Sequence, residues 1–142
     1  MEEKKKRTAM KPTSEAMRGW AEALAGEVGQ WQGVTLRSAF GMSLVYRSGV
    51  VFAALPKTRA LYEEDAILIK FISDPAAIAK RIAGEPRFVG TMEQRMTKKH
   101  KKVGESKRWR ILRIREDADV HAAIEWMAEA YGVTRQSSRG AK

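Results

Sequence analysis

Met42-Ser-Leu-Val-Tyr-Arg-Ser-Gly-Val-Val-Phe-Ala-Ala-Leu55 alternates, turns, and resumes as an apolar run. Met42, Leu44 and Tyr46 fall on one side of an extended chain, and Ser43, Val45 and Arg47 on the other. Ser48-Gly49 is a two-residue turn signal, because glycine enters the left-handed conformations that such turns need. The apolar run ends at Pro56, which has no N–H for a strand ladder. A β-hairpin over residues 42–55 is the expectation. Upstream, residues 34–39 read as a further short strand. Downstream, residues 57–65 read as a polar loop with a short turn around 59–62. Residues 66–72 read as a strand, with Ile67, Ile69 and Phe71 on one face and Leu68, Lys70 and Ile72 on the other.

Helical spacing brackets these strands. Met17, Trp20, Ala21, Leu24 and Val28 share one face of a helix over about 14–28. Thr13 or Ser14 supplies its N-cap and Gly29 its stop. Ser73-Asp74-Pro75 marks a second helix start, since proline at the first helical position loses no bond. That helix carries Ile78 and Ile82 and stops at Gly84. Residues 85–96 show no period and read as irregular. Trp109-Arg-Ile-Leu-Arg-Ile114 reads as a strand. Asp117 caps a last helix with Val120, Ile124, Met127 and Tyr131 on its inner face, ending at Gly132.

The resulting order, α-β-β-β-β-α-β-α, has no βαβαβ alternation of long parallel strands, which argues against a doubly wound nucleotide fold. The fold expected is α+β: a mostly antiparallel sheet of about five strands with helices packed on it. One domain spans 13–133, between a disordered basic arm, 1–12, and a flexible tail, 134–142.

Charge is distributed unevenly. The net charge is +10, but residues 94–115 alone hold ten Lys/Arg against one Glu. Residues 1–12 hold five Lys/Arg against two Glu, and the remainder is slightly acidic. Localised basicity points to a patch and a polyanionic partner. Lys98, Lys99, Lys101, Lys102, Lys107, Arg108 and Arg110 are the candidate nucleic-acid contacts, as flexible cations for phosphates. Trp109 among them is read as core rather than as a platform for a base. The arm residues Lys4–Arg7 and Lys11 are a weaker site of the same kind.

Other chemistries find little support. Cysteine is absent, and neither His100 nor His121 has a second ligand at metal spacing. Glu63-Glu64-Asp65 and Glu116-Asp117-Asp119 read as a loop and a helix cap. No phosphate-cradling glycine pattern occurs. Neither a catalytic site, a metal nor a cofactor is expected. No apolar stretch reaches membrane-spanning length, so a cytoplasmic protein with no membrane partner is the expectation.

Phe40-Gly41-Met42, the alternating strand after it, Gly49-Val-Val-Phe52-Ala53 and Ile67-Leu-Ile-Lys70-Phe71 together resemble the N-terminal domain of the TfoX competence regulators of bacteria. So does the ending, with an aromatic-led strand from Trp109, an acidic cap, and a helix closing on Ala128-Glu-Ala-Tyr131. The related MmcQ/YjbR-like proteins share the Phe-Ala strand, the Leu-x-Lys strand and the terminal helix. The resemblance covers about residues 14–132. It implies a secretion-chaperone-like α+β fold, no catalysis and a link to DNA. The basic segment stands as an addition to that scaffold. Two functions follow as expectations: a nucleic-acid-binding or regulatory module contacting phosphates largely without sequence readout, or a protein-interaction domain using the face or edge of its sheet. The second includes self-pairing, so the protein is expected as a monomer or homodimer.

Overall fold

Two hairpin turns with positive φ organise the sheet. Phe40 and Gly41 have φ of 57° and 75°, and Ser48 and Gly49 have φ of 50° and 85°. Two consecutive left-handed residues give the turn whose twist matches that of the flanking strands. The computed structural model describes residues 10–61, 65–71, 76–91 and 109–140. In chain order these form β1 (Met10–Pro12), α1 (Glu15–Val28), β2 (Val34–Ala39), β3 (Met42–Arg47), β4 (Val50–Pro56), β5 (Arg59–Leu61), β6 (Ala66–Lys70), α2 (Ala76–Ala83), β7 (Phe88–Thr91), β8 (Trp109–Arg113) and α3 (Asp117–Gly140).

Six strands form one antiparallel sheet in the order β2-β3-β4-β6-β8-β7. The helices lie on one face, where Val45, Phe52, Leu55, Ile67, Ile69, Phe71, Leu112 and Ile114 meet Met17, Leu24, Ile78, Ile82, Trp126 and Met127. The β3–β4 register shifts between Val45 and Tyr46. This bulge lets neighbouring Phe52 and Ala53 both join the helix-side core. A second apolar cluster, on the far face, contains Met42, Ala54, Ala66, Leu68 and Ile111, with Leu44, Val89 and Trp109 packed against it. Its members come from strands alone.

The α+β class and element order are as read from the sequence, with six strands rather than about five. Four local differences have physical causes. Residues 88–91 form a strand, although Gly90 interrupts their alternation. Phe88 fills the space between Phe71 and Trp126, at ring centroid distances of 6.5 and 5.0 Å. Gly90, at φ 141°, absorbs the register shift. Second, Met10–Pro12, read as part of a disordered arm, pairs with Arg59–Leu61, read as loop. Third, the last helix runs through Gly132 to Gly140, where a flexible tail was expected. A glycine costs about 1 kcal/mol inside a helix, but Val133 and Thr134 beyond it are buried, and Thr134 donates to the Ala130 carbonyl. Fourth, Asp117 does not cap its own helix. It accepts from the Trp20 indole N–H at 3.2 Å, while Asp119 reaches back to the Arg115 and Glu116 N–H groups.

Ser14 does cap α1, accepting from the Met17 N–H at 3.1 Å. Its hydroxyl also donates to Asp65, which ties the helix start to the entry of β6. The Phe40–Gly41 turn is held more tightly than a bare hairpin. The Gly41 carbonyl accepts from Lys57, Thr58 and Arg59 N–H groups at 2.9–3.1 Å, and a Cβ on Gly41 would meet Arg59 Cγ at 2.6 Å. Phe40 is nevertheless 82% exposed. A phenylalanine in the left-handed region is strained, whereas asparagine enters it readily. Phe40→Asn should therefore stabilise the isolated chain by about 1 kcal/mol, read as a rise in the urea midpoint at unchanged slope. No gain would mean that the ring contributes contacts that offset its backbone strain.

Candidate nucleic-acid interface

Lys98, Lys99, Lys101, Lys102, Lys107 and Arg108 lie outside the described residues, as do Lys4–Arg7, His100, Glu63 and Glu64. What the structure gives for the basic segment is its two anchor points. Residues 92–108 join the end of β7 at Thr91 to the start of β8 at Trp109, and these strands are neighbours. The segment therefore starts and ends on neighbouring strands at one sheet edge. It is not a connection from a helix. The anchor lies at the end of β6 marked by Lys70, which pairs with Trp109. The β1–β5 ribbon, where the N-terminal arm enters, lies towards the other end of β6. Five residues of strand, about 15 Å, separate the two ends. The two basic segments thus leave the fold from different places.

Strand alternation sorts the anchor residues by face. Arg110 pairs with Ile69 of the helix-side core, so its half-buried side chain stands on the helix face with Leu112. Trp109 pairs with Lys70, and Arg113 with Ala66, which puts Trp109 and Arg113 on the far face with Leu68 and Ile111. Trp109 is half-buried there, and Lys70 Nζ lies 5.8 Å from its ring centroid. On the same face, across β3 and β2, the Arg37 guanidinium lies 5.9 Å from the Tyr46 ring. The buried Arg113 Nε finds no hydrogen-bond partner.

Among the described residues, the eight strands carry no Asp or Glu, while β2, β6 and β8 carry Arg37, Lys70, Arg110 and Arg113. The described carboxylates sit on the helices or in connections, with Asp65 at the entry of β6. Lys70, Arg113 and Arg37 were not among the residues singled out from sequence. The signal for them was present: period-two alternation groups Trp109 with Arg113, not with Arg110.

The acidic groups that are well placed do structural work. Arg87 donates through Nε to Asp119 and through Nη1 to Glu85 at 3.0 Å. Burial alone would raise both carboxyl pKa values. It is outweighed at Glu85 by the Arg87 N–H and side chain and the Trp126 indole, and at Asp119 by Arg87 and the Arg115 and Glu116 N–H groups. Both acids are therefore held below the ordinary carboxylate range. Arg87 is pushed further up, first by its bond to Asp119. This cluster locks β7 onto the start of α3, and so fixes one anchor of the basic segment. His121 is exposed on α3. A cleft of about 280 Å³ opens between α1 and the end of β4, lined by Arg18, Ala21, Glu22, Leu55, Pro56 and Lys57. Ala25, Ser43 and Thr58 complete its lining. Among the described residues no helix is long and apolar enough to cross a membrane.

Comparison with protein-family models, with curated proteins and with solved structures returns no match.

Proposed function

We propose that the protein is a non-catalytic module of the bacterial cytoplasm that binds nucleic acid through its phosphates, largely without reading sequence. The observation that carries this reading is the far face of the sheet. Among the described residues it presents Lys70, Arg113 and Arg37 with two aromatic rings and no carboxylate, and the segment holding Lys98, Lys99, Lys101, Lys102, Lys107 and Arg108 leaves from its edge. Phosphate groups are satisfied by several such cations, and an aromatic edge among them gives an unpaired base a surface to stack on. The resemblance to TfoX N-terminal domains supports the same reading from a different direction.

The test is salt dependence. If four to six cations reach phosphates, log affinity for a duplex of arbitrary sequence should fall against log salt with a slope of about −4 to −5. Replacing Lys98, Lys99, Lys101 and Lys102 together by alanine should flatten that slope by about 3–4. Lys70→Gln with Arg113→Gln should flatten it by about 2 if the far face takes part. Anisotropy titrations at several salt concentrations read each value. A curve that is flat between low and moderate salt overturns the proposal. A slope changed by the loop lysines but not by Lys70 and Arg113 removes the far face from it.

A further inference from the structure

The two edges of the sheet differ. β7 is short and bulged, and all of its residues are half-buried. β2 is regular: all six of its residues pair with β3 in unbroken register, and its four central residues are exposed. It contains no proline and a single charge, Arg37. An exposed edge with unbroken register is a template for another strand unless something blunts it. Leu36, 41% exposed, and Phe40, 82% exposed, are the exposed large hydrophobics among the described residues, and both belong to this edge.

We infer that β2 pairs antiparallel with β2 of a second copy about a two-fold axis at Leu36. The hairpin geometry limits the choice of register. Phe40 and Gly41 form a two-residue turn, so Ala39 and Met42 face one another as a hydrogen-bonded pair. Alternation then turns the N–H and C=O groups of Ala39, Arg37 and Thr35 toward β3, and those of Val34, Leu36 and Ser38 outward. Outward residues can pair only with outward residues. Pairing Leu36 with Ser38 of the second copy would set Arg37 directly against Arg37, two cations across a close pair. Centring on Ser38 or on Val34 shortens the shared strand.

Centring on Leu36 avoids both costs. Leu36 meets Leu36, Arg37 faces Thr35, and Ser38 faces Val34. Leu36 and Ser38 of each copy donate their outward N–H groups across the axis. The Val34 N–H is already taken by the Trp31 carbonyl, so only its carbonyl takes part. Carried one step further, the register brings the Phe40 turn of one copy to Gln32 of the other, beside the half-buried Trp31. That gives the exposed ring an apolar neighbour and a reason to stand at a strained position.

A copy carries a net charge of +10, so pairing works against repulsion. Its salt dependence is therefore opposite in sign to nucleic-acid binding: raising salt screens the repulsion and favours the pair. This separates failure of the pairing from failure of the phosphate-binding reading. The chain has no cysteine, so a single one can be introduced cleanly. At a two-fold hydrogen-bonded pair the Cα atoms lie about 5.5 Å apart, within disulfide reach. Leu36→Cys should oxidise to a covalent dimer. Thr35→Cys and Ser38→Cys should remain mostly monomeric under the same oxidant, being offset along the strands. Light scattering on the unmodified chain should give a mass approaching twice 16.0 kDa with rising concentration and salt, and Leu36→Lys should return it to 16.0 kDa. Preferential cross-linking through Ser38→Cys or Arg37→Cys would replace the register. A mass of 16.0 kDa at all concentrations and salts, with no preference for position 36, overturns the pairing.

Discussion

Tyr131→Ala should destabilise the protein by about 3–5 kcal/mol, the range for removing a packed aromatic side chain. The ring lies edge-on to Trp31 at 5.1 Å and to Phe52 at 5.9 Å between centroids. The Arg47 guanidinium stacks on it at 3.6 Å, and its hydroxyl donates to the Gln32 carbonyl at 2.8 Å. Arg47 is only 9% exposed, and it also donates to the Tyr131 carbonyl at 2.9 Å. Truncating the ring opens a cavity and removes the surface that shields a nearly buried cation. Small domains are stable by only about 5–15 kcal/mol, so this one change removes a large share. Tyr131→Phe keeps the packing and loses only the hydroxyl bond, so it should cost about 1 kcal/mol. Urea midpoints of the two variants measure the difference. Equal losses would mean that the hydroxyl, not the ring, holds the helix.

Arg87→Ala should cost about 2–3 kcal/mol at neutral pH, and the loss should shrink in acid. The magnitude follows from hydrogen bonds to charged partners, reduced because the Arg87 side chain is a third exposed. Glu85 and Asp119 have pKa values lowered in the folded chain. A lowered carboxyl pKa contributes stability above its unfolded value, about 4, and that contribution is lost as pH falls through the folded value. Without the Arg87 side chain Asp119 loses its largest lowering interaction, while Glu85 keeps the residue-87 N–H and the Trp126 indole, so the variant has less to lose on acidification, chiefly at Asp119. The difference in unfolding free energy between the two chains should be constant from about pH 5 to 8 and narrow below about pH 4. A difference that stays constant down to pH 3 would show that Arg87 acts by packing rather than by charge. Because the cluster fixes Phe88 and the start of α3, the variant should also weaken nucleic-acid binding while leaving its salt slope unchanged.

The sheet was largely legible because its strands announce themselves singly. Residues 42–55 carry alternation and a turn signal in one stretch, and residues 66–71 carry alternation alone. Local rules suffice there. They failed where tertiary contact decides. Nothing within residues 88–91 predicts a strand, since its reason for forming is a gap between Phe71 and Trp126. The helix past Gly132 exists because Val133 and Thr134 are buried, which no composition rule records. The candidate site was legible in charge but not in face. Counting cations marked Arg110 and passed over Arg113 and Lys70. Alternation groups Trp109 with Arg113, but only the pairing of β8 with β6 says which side of the sheet that group takes.

The link between Arg47 and Tyr131 joins positions 84 apart in sequence. β2, β3 and β4 are successive hairpins and can form from neighbouring residues alone. The last helix must return across the whole sheet before that link closes. Contacts of long sequence separation pay their loop-closure entropy before they are rewarded, so they form late. The hairpins should therefore zip first and the α3 contacts should lock last. In hydrogen-exchange terms, amides of β3 and β4 should share their opening free energy with those around Ala130, because neither side of the link opens without exposing the other.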